Sequence, residues 1–324
     1  MAGAGVLITL AVAAGCGGSG ASGSAGSPRS AGSAGPATTA GSSPTAGSGP
    51  AASSPATAPS GGPLFLTASL SGDQEVQVAG KPPVGDPKGH ATAYVEVESG
   101  KVTFLFRWSG ISAPMMAHIH KGAVGANGPV LVPFFTSTMP ATATAAAGAV
   151  TINDPGIADG IRRNPAGYYV NLHTADFPGG AVRGQLAPAG RSLDMLAVGP
   201  NGPKPTALSG SQEVHAPGKR VGDPHGNATA VLGLAADSVS YTFRWIGISP
   251  TVGHIHQGAA GANGPVVVPL FMSPVPANVF ALAGTVTGVD PGLVAKIRAQ
   301  PADFYVNLHT AAFPDGALRG QLLP

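Results

Sequence analysis

The chain is 324 residues long, carries a formal net charge of +2 at pH 7, and has only 10% charged residues. Because its Lys and Arg residues form no basic cluster, nucleic acid is not an expected partner. The single cysteine lies at position 16, so no disulfide is expected to hold a folded domain together.

The N-terminus has the pattern of an export signal. Residues 6–16 read VLITLAVAAGC, an apolar run that is too short to span a bilayer and that ends in small residues. This ending resembles the bacterial lipoprotein box, in which the signal is removed before a cysteine that then receives lipid. Residues 1–5 contain no Lys or Arg, which departs from the usual basic start. We therefore expect residues 1–16 to be a lipoprotein signal peptide and Cys16 to be the lipidation site.

A low-complexity segment follows the cysteine. Residues 17–62 are almost entirely Gly, Ala, Ser, Pro and Thr, and Arg29 is the only charged residue among them. Such a composition cannot bury enough apolar surface to offset the entropy of ordering. The segment is therefore predicted to be a disordered tether.

The remainder of the chain is a duplicated unit. The block AHIHKG at 117–122 returns as GHIHQG at 253–258, and NLHT at 171–174 returns at 307–310, both 136 positions later. The repetition predicts two domains, residues 63–188 and 204–324, joined by a linker at 189–203. Each domain is long enough to build its own core.

The first unit reads as an all-β domain. Eight short runs are rich in β-branched or aromatic residues and are separated by Gly, Pro, Asp and Ser. These predicted strands are 64–70, 90–97, 101–108, 116–120, 130–135, 147–152, 168–173 and 181–186. The fold class expected is thus two tandem Greek-key β-sandwich or barrel domains, each with one short helix, after a disordered tether.

The single helix of each unit has clear end signals. Asp154 is a suitable N-cap, Pro155 suits the first helical position, and Asn164-Pro165 ends the helix. Ile157 and Ile161 then share one face. The second unit repeats the arrangement with Asp290, Pro291, Leu293, Ile297 and a stop at Pro301.

Three histidines of each unit are candidate metal ligands. His118 and His120 alternate along a strand and therefore point to the same face, and His173 ends another strand. Three imidazoles are a common ligand set for copper and zinc. The copies in the second unit are His254, His256 and His309.

A structural role is the alternative for these histidines. They can line a polar surface or bond to loop carbonyls near the turn at 127–129. All three recur in both units, whereas His90, His215 and His225 do not. This recurrence favours a site but also fits retained core positions.

Arg183 and its copy Arg319 follow the third histidine of each unit by ten residues. One role for such an arginine is to steer an anion toward the site. The other is to hold a loop by donating to backbone carbonyls. Glu75 and Glu213, which lie in a bend after the first strand of each unit, are candidate partners of these arginines.

Taken together, three blocks of each unit resemble the CHRD domain, the repeat named after chordin and also found in many exported bacterial proteins. They are the opening QEV, the central HIHxGxxGxNGP and the closing NLHTxxFPxGxxRGQL, and they cover 64–188 and 204–324. The resemblance implies a β-rich extracellular module and no established reaction. In animal proteins such modules lie within antagonists of secreted growth factors.

The order of the histidines and the arginine also resembles the copper site of Cu/Zn superoxide dismutase, a Greek-key barrel. That resemblance implies copper at His118, His120 and His173, with Arg183 attracting superoxide. The loop after His120 offers no counterpart of the bridging histidine or the zinc ligands, and the disulfide is missing. The resemblance therefore extends to a copper site without zinc.

Two functions follow from these patterns. The preferred one is a lipoprotein on the outer face of the bacterial cytoplasmic membrane that displays two CHRD domains as a binding or structural module. Its partners would be the membrane, through Cys16, and an extracellular protein or metal ion. The alternative is a copper-binding redox protein, either superoxide dismutase-like or a copper carrier, with one copper per domain.

Overall fold

The computed structural model describes residues 62–190 and 205–323. The signal segment with Cys16, the tether up to residue 61 and the linker from residue 191 lie outside the described residues. Within the described part the chain is mostly β, with one helix in each of the two repeats.

The first repeat contains nine strands and one helix. They are β1 (Leu64–Ser71), β2 (His90–Glu98), β3 (Lys101–Ser109), β4 (Met116–Lys121), β5 (Val130–Phe135), β6 (Ala143–Thr151), α1 (Pro155–Arg163), β7 (Tyr168–His173), β8 (Val182–Gln185) and β9 (Ala187–Pro188).

The second repeat follows the same order. Its elements are β10 (Thr206–Ser209), β11 (Asn227–Leu234), β12 (Ser238–Ile246), β13 (Pro250–Gln257), β14 (Val266–Phe271), β15 (Val279–Thr287), α2 (Pro291–Ala299), β16 (Phe304–Thr310) and β17 (Leu318–Gln321).

Each repeat arranges its main strands as two antiparallel sheets. In the first repeat the sheets are β6-β3-β2-β1 and β8-β7-β4-β5, and they meet where Ser71 of β1 pairs with Arg183 of β8. The consecutive strands β3 and β4 lie in different sheets, as in a Greek key. The order confirms the predicted all-β class.

The core lies between the two sheets. Apolar residues alternate with polar ones along β2, so that every second side chain is buried. Phe104 and Phe106 of β3 face Phe134 of β5, with ring centroids 5.0 and 5.1 Å apart. These contacts across the interior identify a β-sandwich rather than a hollow barrel.

The two repeats share a sheet. Strand β6 of the first repeat pairs antiparallel with β15 of the second, with Ala145 opposite Ala283 and Ala147 opposite Ala281. Since β15 occupies the outer edge of β6, the described strands do not close into a barrel in either repeat. The strands instead form one long antiparallel ladder.

Small residues permit this close approach. A Cβ atom on Gly148 would lie 2.4 Å from the carbonyl oxygen of Asn278, and one on Gly284 would lie 2.2 Å from that of Thr142. Thr142 also bonds to Tyr241 at 2.8 Å and to the carbonyl of Leu270 at 2.7 Å, both in the second repeat. The joint between repeats is therefore packed as closely as a domain interior.

Strand β6 begins four residues earlier than the sequence predicts, at Ala143. The run at 143–147 is four alanines and Thr144, so it has few of the β-branched and none of the aromatic residues that mark a strand. Pairing with β3 and β15 on both edges imposes the extended conformation on these alanines.

Both helices begin as predicted. The carboxylate of Asp154 accepts a hydrogen bond from Gly156 N at 2.8 Å, and that of Asp290 accepts one from Leu293 N at 2.9 Å. Ile161 and Ile297 are buried, but Val294 rather than Leu293 is the fully buried partner in the second helix. Among the residues that the structure describes, no helix is long and apolar enough to cross a membrane.

Candidate metal centre

The fold brings the three histidines of each repeat together. β4 pairs with β7, which places His173 opposite Met116 and beside the face that carries His118 and His120. The His118 ring lies 5.0 Å from His173 and 5.6 Å from His120, measured between ring centroids. One nitrogen from each ring lies within 4.8 Å of one from each of the others. His254, His256 and His309 meet the same condition.

Backbone carbonyls orient two of the three rings. Nδ1 of His120 lies 3.0 Å from the carbonyl oxygen of Gly128, and Nδ1 of His173 lies 2.9 Å from that of Pro178. A carbonyl oxygen only accepts, so both Nδ1 atoms carry the proton and both Nε2 atoms carry a lone pair. Carbonyl partners of this kind commonly fix metal-binding histidines. The second repeat has the same bonds from His256 to Gly264 and from His309 to Pro314.

The third ring of the first cluster, that of His118, contacts the ring of His173 directly. Nδ1 of His118 lies 3.2 Å from Nε2 of His173, and the copies His254 and His309 are 3.3 Å apart. Because Nε2 of His173 has a lone pair, Nδ1 of His118 either donates a proton to it or shares a metal ion with it. In the second case the proton of His118 resides on its own Nε2.

One lone pair in each cluster has no hydrogen-bonding partner among the described residues. Nε2 of His120 is buried in this way, and so is Nε2 of His256. A buried polar atom left unsatisfied costs about 1–3 kcal/mol. A metal ion held by the three nitrogens would satisfy this atom.

The histidines are neutral near pH 7. Burial, reinforced by the neighbouring His173 and His120, lowers the pKa of His118 to about 4. Burial also lowers the pKa values of His120 and His173, although each gains a carbonyl bond that acts in the opposite direction. Neutral imidazole is the form that binds metals, so the cluster needs no deprotonation at neutral pH.

Arg183 lies beside the cluster rather than within it. Its side chain is 2% exposed, and it donates to the carbonyls of Ala123 and Ala126 at 3.0 and 2.8 Å. A third bond joins it to Asn127 Oδ1 at 3.1 Å. Three of the five guanidinium N–H groups are thus engaged with the loop that also supplies the Gly128 carbonyl. Arg319 makes the corresponding bonds in the second repeat.

A tyrosine that sequence reasoning missed links the arginine to the cluster. The ring of Tyr169 stacks on His120 with centroids 4.7 Å apart and planes 11° apart, and the Arg183 guanidinium carbon lies 3.4 Å from its centroid. Both groups cannot occupy one face at these distances, so Tyr169 lies between them. Tyr305 does the same between His256 and Arg319. The only signal in the sequence was the shared Tyr-Val-Asn-Leu-His block.

Glu75 and Glu213 meet an asparagine instead of pairing directly with an arginine. Asn171 donates to Glu75, and Asn307 donates to Glu213 at 2.9 Å. Burial raises the pKa of each carboxyl to about 7, although the asparagine bond and the nearby arginine act to lower it.

A family model described as the CHRD domain matches residues 66–186 and 205–322. The chain belongs to the CHRD-domain family. No curated protein and no solved structure matches it. The chain thus carries two tandem CHRD domains, and each is a β-module of the extracytoplasmic type.

The residue that follows β14 gives the cluster of the second CHRD domain a contact that the first domain lacks. In the second domain Sδ of Met272 lies 3.2 Å from Nε2 of His254. The corresponding residue of the first domain, after Phe135, is Thr136. The second domain therefore offers a sulfur atom beside its histidines.

Proposed function

We propose that this protein is a lipid-anchored, cell-surface module in which each CHRD domain binds one transition-metal ion, with copper as the preferred ion. The single observation that carries the proposal is the orientation of the imidazoles. In each domain, carbonyl bonds leave a lone pair on Nε2 of two rings; one of these lone pairs faces the third ring, and the other is buried without a partner among the described residues.

The ligand set favours copper. Three neutral imidazoles suit copper and zinc, whereas magnesium and calcium prefer oxygen ligands. Among divalent first-row ions, copper binds nitrogen sites most strongly. Zinc is the competitor to include in every measurement.

The surroundings favour binding over reaction with superoxide. An arginine that steers an anion needs an exposed charge, but Arg183 is 2% exposed and its donors bond to a loop. We therefore prefer a copper-binding or copper-carrying role to a dismutase.

Copper titration of the full chain tests the proposal. We expect about two equivalents of Cu(II), and about one in a His118→Gln/His120→Gln variant. The matched control replaces the exposed His90 and His225, which lie outside both clusters, and should keep two equivalents. A stoichiometry near zero in the well-folded wild type would refute metal binding.

Thermal melting separates a metal site from purely structural histidines. Copper that binds only the folded protein should raise the melting temperature, and a chelator should reverse the increase. If the histidines only form hydrogen bonds, the double variant melts lower with or without chelator, and copper has no effect on either protein.

The anchor is tested separately. It is supported by the lipoprotein-box sequence at Cys16 and by the low-complexity segment that follows it. Cys16→Ala, or treatment with globomycin, should leave unprocessed precursor that is larger than the mature protein. Unchanged processing would contradict the anchor but not the metal site.

A further inference from the structure

The second CHRD domain has a sulfur ligand within reach of the outer nitrogen of His254. Met272 follows β14, its side chain is 63% exposed, and its Sδ lies 3.2 Å from Nε2 of His254. Thr136 in the first domain has no sulfur. The first domain therefore cannot make this contact from the corresponding position.

The proton positions of the cluster make this contact unusual. His309 donates from Nδ1 to the Pro314 carbonyl at 2.9 Å, so its Nε2 carries a lone pair. That lone pair faces Nδ1 of His254 at 3.3 Å. When Nδ1 of a neutral His254 donates to it, Nε2 of His254 is left with a lone pair directed at Met272.

Two lone-pair donors then lie side by side. Neither the imidazole nitrogen nor the thioether sulfur carries a proton in this arrangement, so no hydrogen bond joins them. A soft cation between them would bind both. Thioether sulfur is a soft ligand that suits Cu(I), whereas zinc in proteins is bound by thiolate, imidazole and carboxylate. Because methionine is flexible and this one is exposed, the sulfur can move to the distance that an ion requires.

We propose that Nε2 of His254 and Sδ of Met272 form a Cu(I) site at the surface of the second CHRD domain. This site rests on the proposed copper binding. It specifies that the second domain receives the ion as Cu(I) and that the ion arrives between His254 and Met272. The ion enters as Cu(I) and remains Cu(I), so no oxidant or reductant takes part.

The surface site and the inner cluster exclude each other. An ion held by the inner nitrogens uses Nδ1 of His254, so the ring proton moves to Nε2, where it donates to the Met272 sulfur. An ion held at the surface uses Nε2 and keeps the proton on Nδ1. The total proton count is the same in both states, and the second domain holds one ion at a time through His254.

Methyl NMR of the full chain tests the surface site directly. With 13C-methyl methionine, the Met272 signal is assigned from its loss in Met272→Leu, a substitution of similar volume at an exposed position. Cu(I) added without oxygen should shift this signal, whereas Zn(II) should shift it little. An unmoved Met272 signal while the protein binds Cu(I) would overturn the proposal.

Affinity measurements give a second test. Met272→Leu should weaken Cu(I) binding to one of the two domains about tenfold or more, measured against bicinchoninate, and leave Cu(II) binding unchanged. Thr136→Met should strengthen Cu(I) binding to the first domain. Unchanged Cu(I) affinity in Met272→Leu would refute the surface site. Absence of Cu(II) and Zn(II) binding at both domains would instead refute the proposed function, so the two failures are distinguishable.

Discussion

Replacing Arg183 with methionine would distinguish the loop-bonding role of this arginine from an anion-steering role. Methionine retains much of the apolar stem and removes all the donors. The loop then loses the bonds to Ala123, Ala126 and Asn127, which measure 2.8–3.1 Å. Tyr169 also loses the cation that stacks on its ring.

The expected loss follows from these contacts. A hydrogen bond from a charged donor contributes about 1.5–3 kcal/mol. The loop residues are exposed and can bond to water when the loop opens, and removal of a buried charge offsets part of the cost. We therefore expect the free energy of unfolding to fall by about 3 kcal/mol, a decrease of about 6–12 °C in melting temperature for the two joined repeats unfolding together.

Urea denaturation measures the loss of stability, and hydrogen exchange of the amides at 122–128 shows whether the loss is in the loop. Because the same loop holds His120 through the Gly128 carbonyl, copper affinity should decrease as well. Arg163→Met, on the exposed end of α1, is the control and should stay within about 0.5 kcal/mol of wild type. A stable Arg183→Met protein with unchanged exchange would refute this reasoning. If that protein also lost a salt-dependent reaction with superoxide, anion steering would be the better interpretation.

Three further results are expected. Gly284→Val should lower the free energy of unfolding in urea by about 1–3 kcal/mol, since even a Cβ would lie 2.2 Å from the Thr142 carbonyl. A Cβ on Gly190 meets nothing within 4 Å, so Gly190→Ala should be neutral. Equal stability of the two variants would contradict the close packing between the repeats. Asp154→Ala should cost about 1 kcal/mol through loss of the helix cap, and an unchanged urea midpoint would show that the cap contributes nothing. Burial raises the pKa of Glu213 to about 7 from 4.5. The folded protein therefore holds the proton of Glu213 more tightly than the unfolded chain does. The resulting stabilisation of the folded state is fully present below pH 4.5 and is lost as the pH rises through 7. Relative to Glu213→Gln, the wild type should lose on the order of 2 kcal/mol over that range, and parallel pH profiles would refute the shift.

The sequence predicts the strands well because most of them pack one face on the core and alternate accordingly. It also identifies all three histidines of each cluster, because spacing by two places two of them on one face and the repeat supplies the third. The domain matches of the CHRD family confirm the reading of the chain as two tandem copies.

Other features depend on backbone atoms or on pairing between repeats. The carbonyls of Gly128 and Pro178 decide which nitrogens point into the cluster, and a carbonyl leaves no signature in residue identity. The pairing of β6 with β15 joins two strands whose paired segments consist mainly of small or apolar residues without polar alternation, so the sequence pattern does not predict it. Tyr169 was overlooked because its stacking partners, His120 and Arg183, lie on other strands.

The pairing of β6 with β15 also bears on how the chain can be divided. An unpaired strand edge presents open N–H and C=O groups and invites association with other chains. Here each repeat covers an exposed edge of the other, and the strands involved carry small apolar residues without the charges that usually discourage such association. Separating the repeats would expose both edges at once. Duplication therefore protects the chain against self-association, and a single repeat expressed alone should aggregate more readily than the pair.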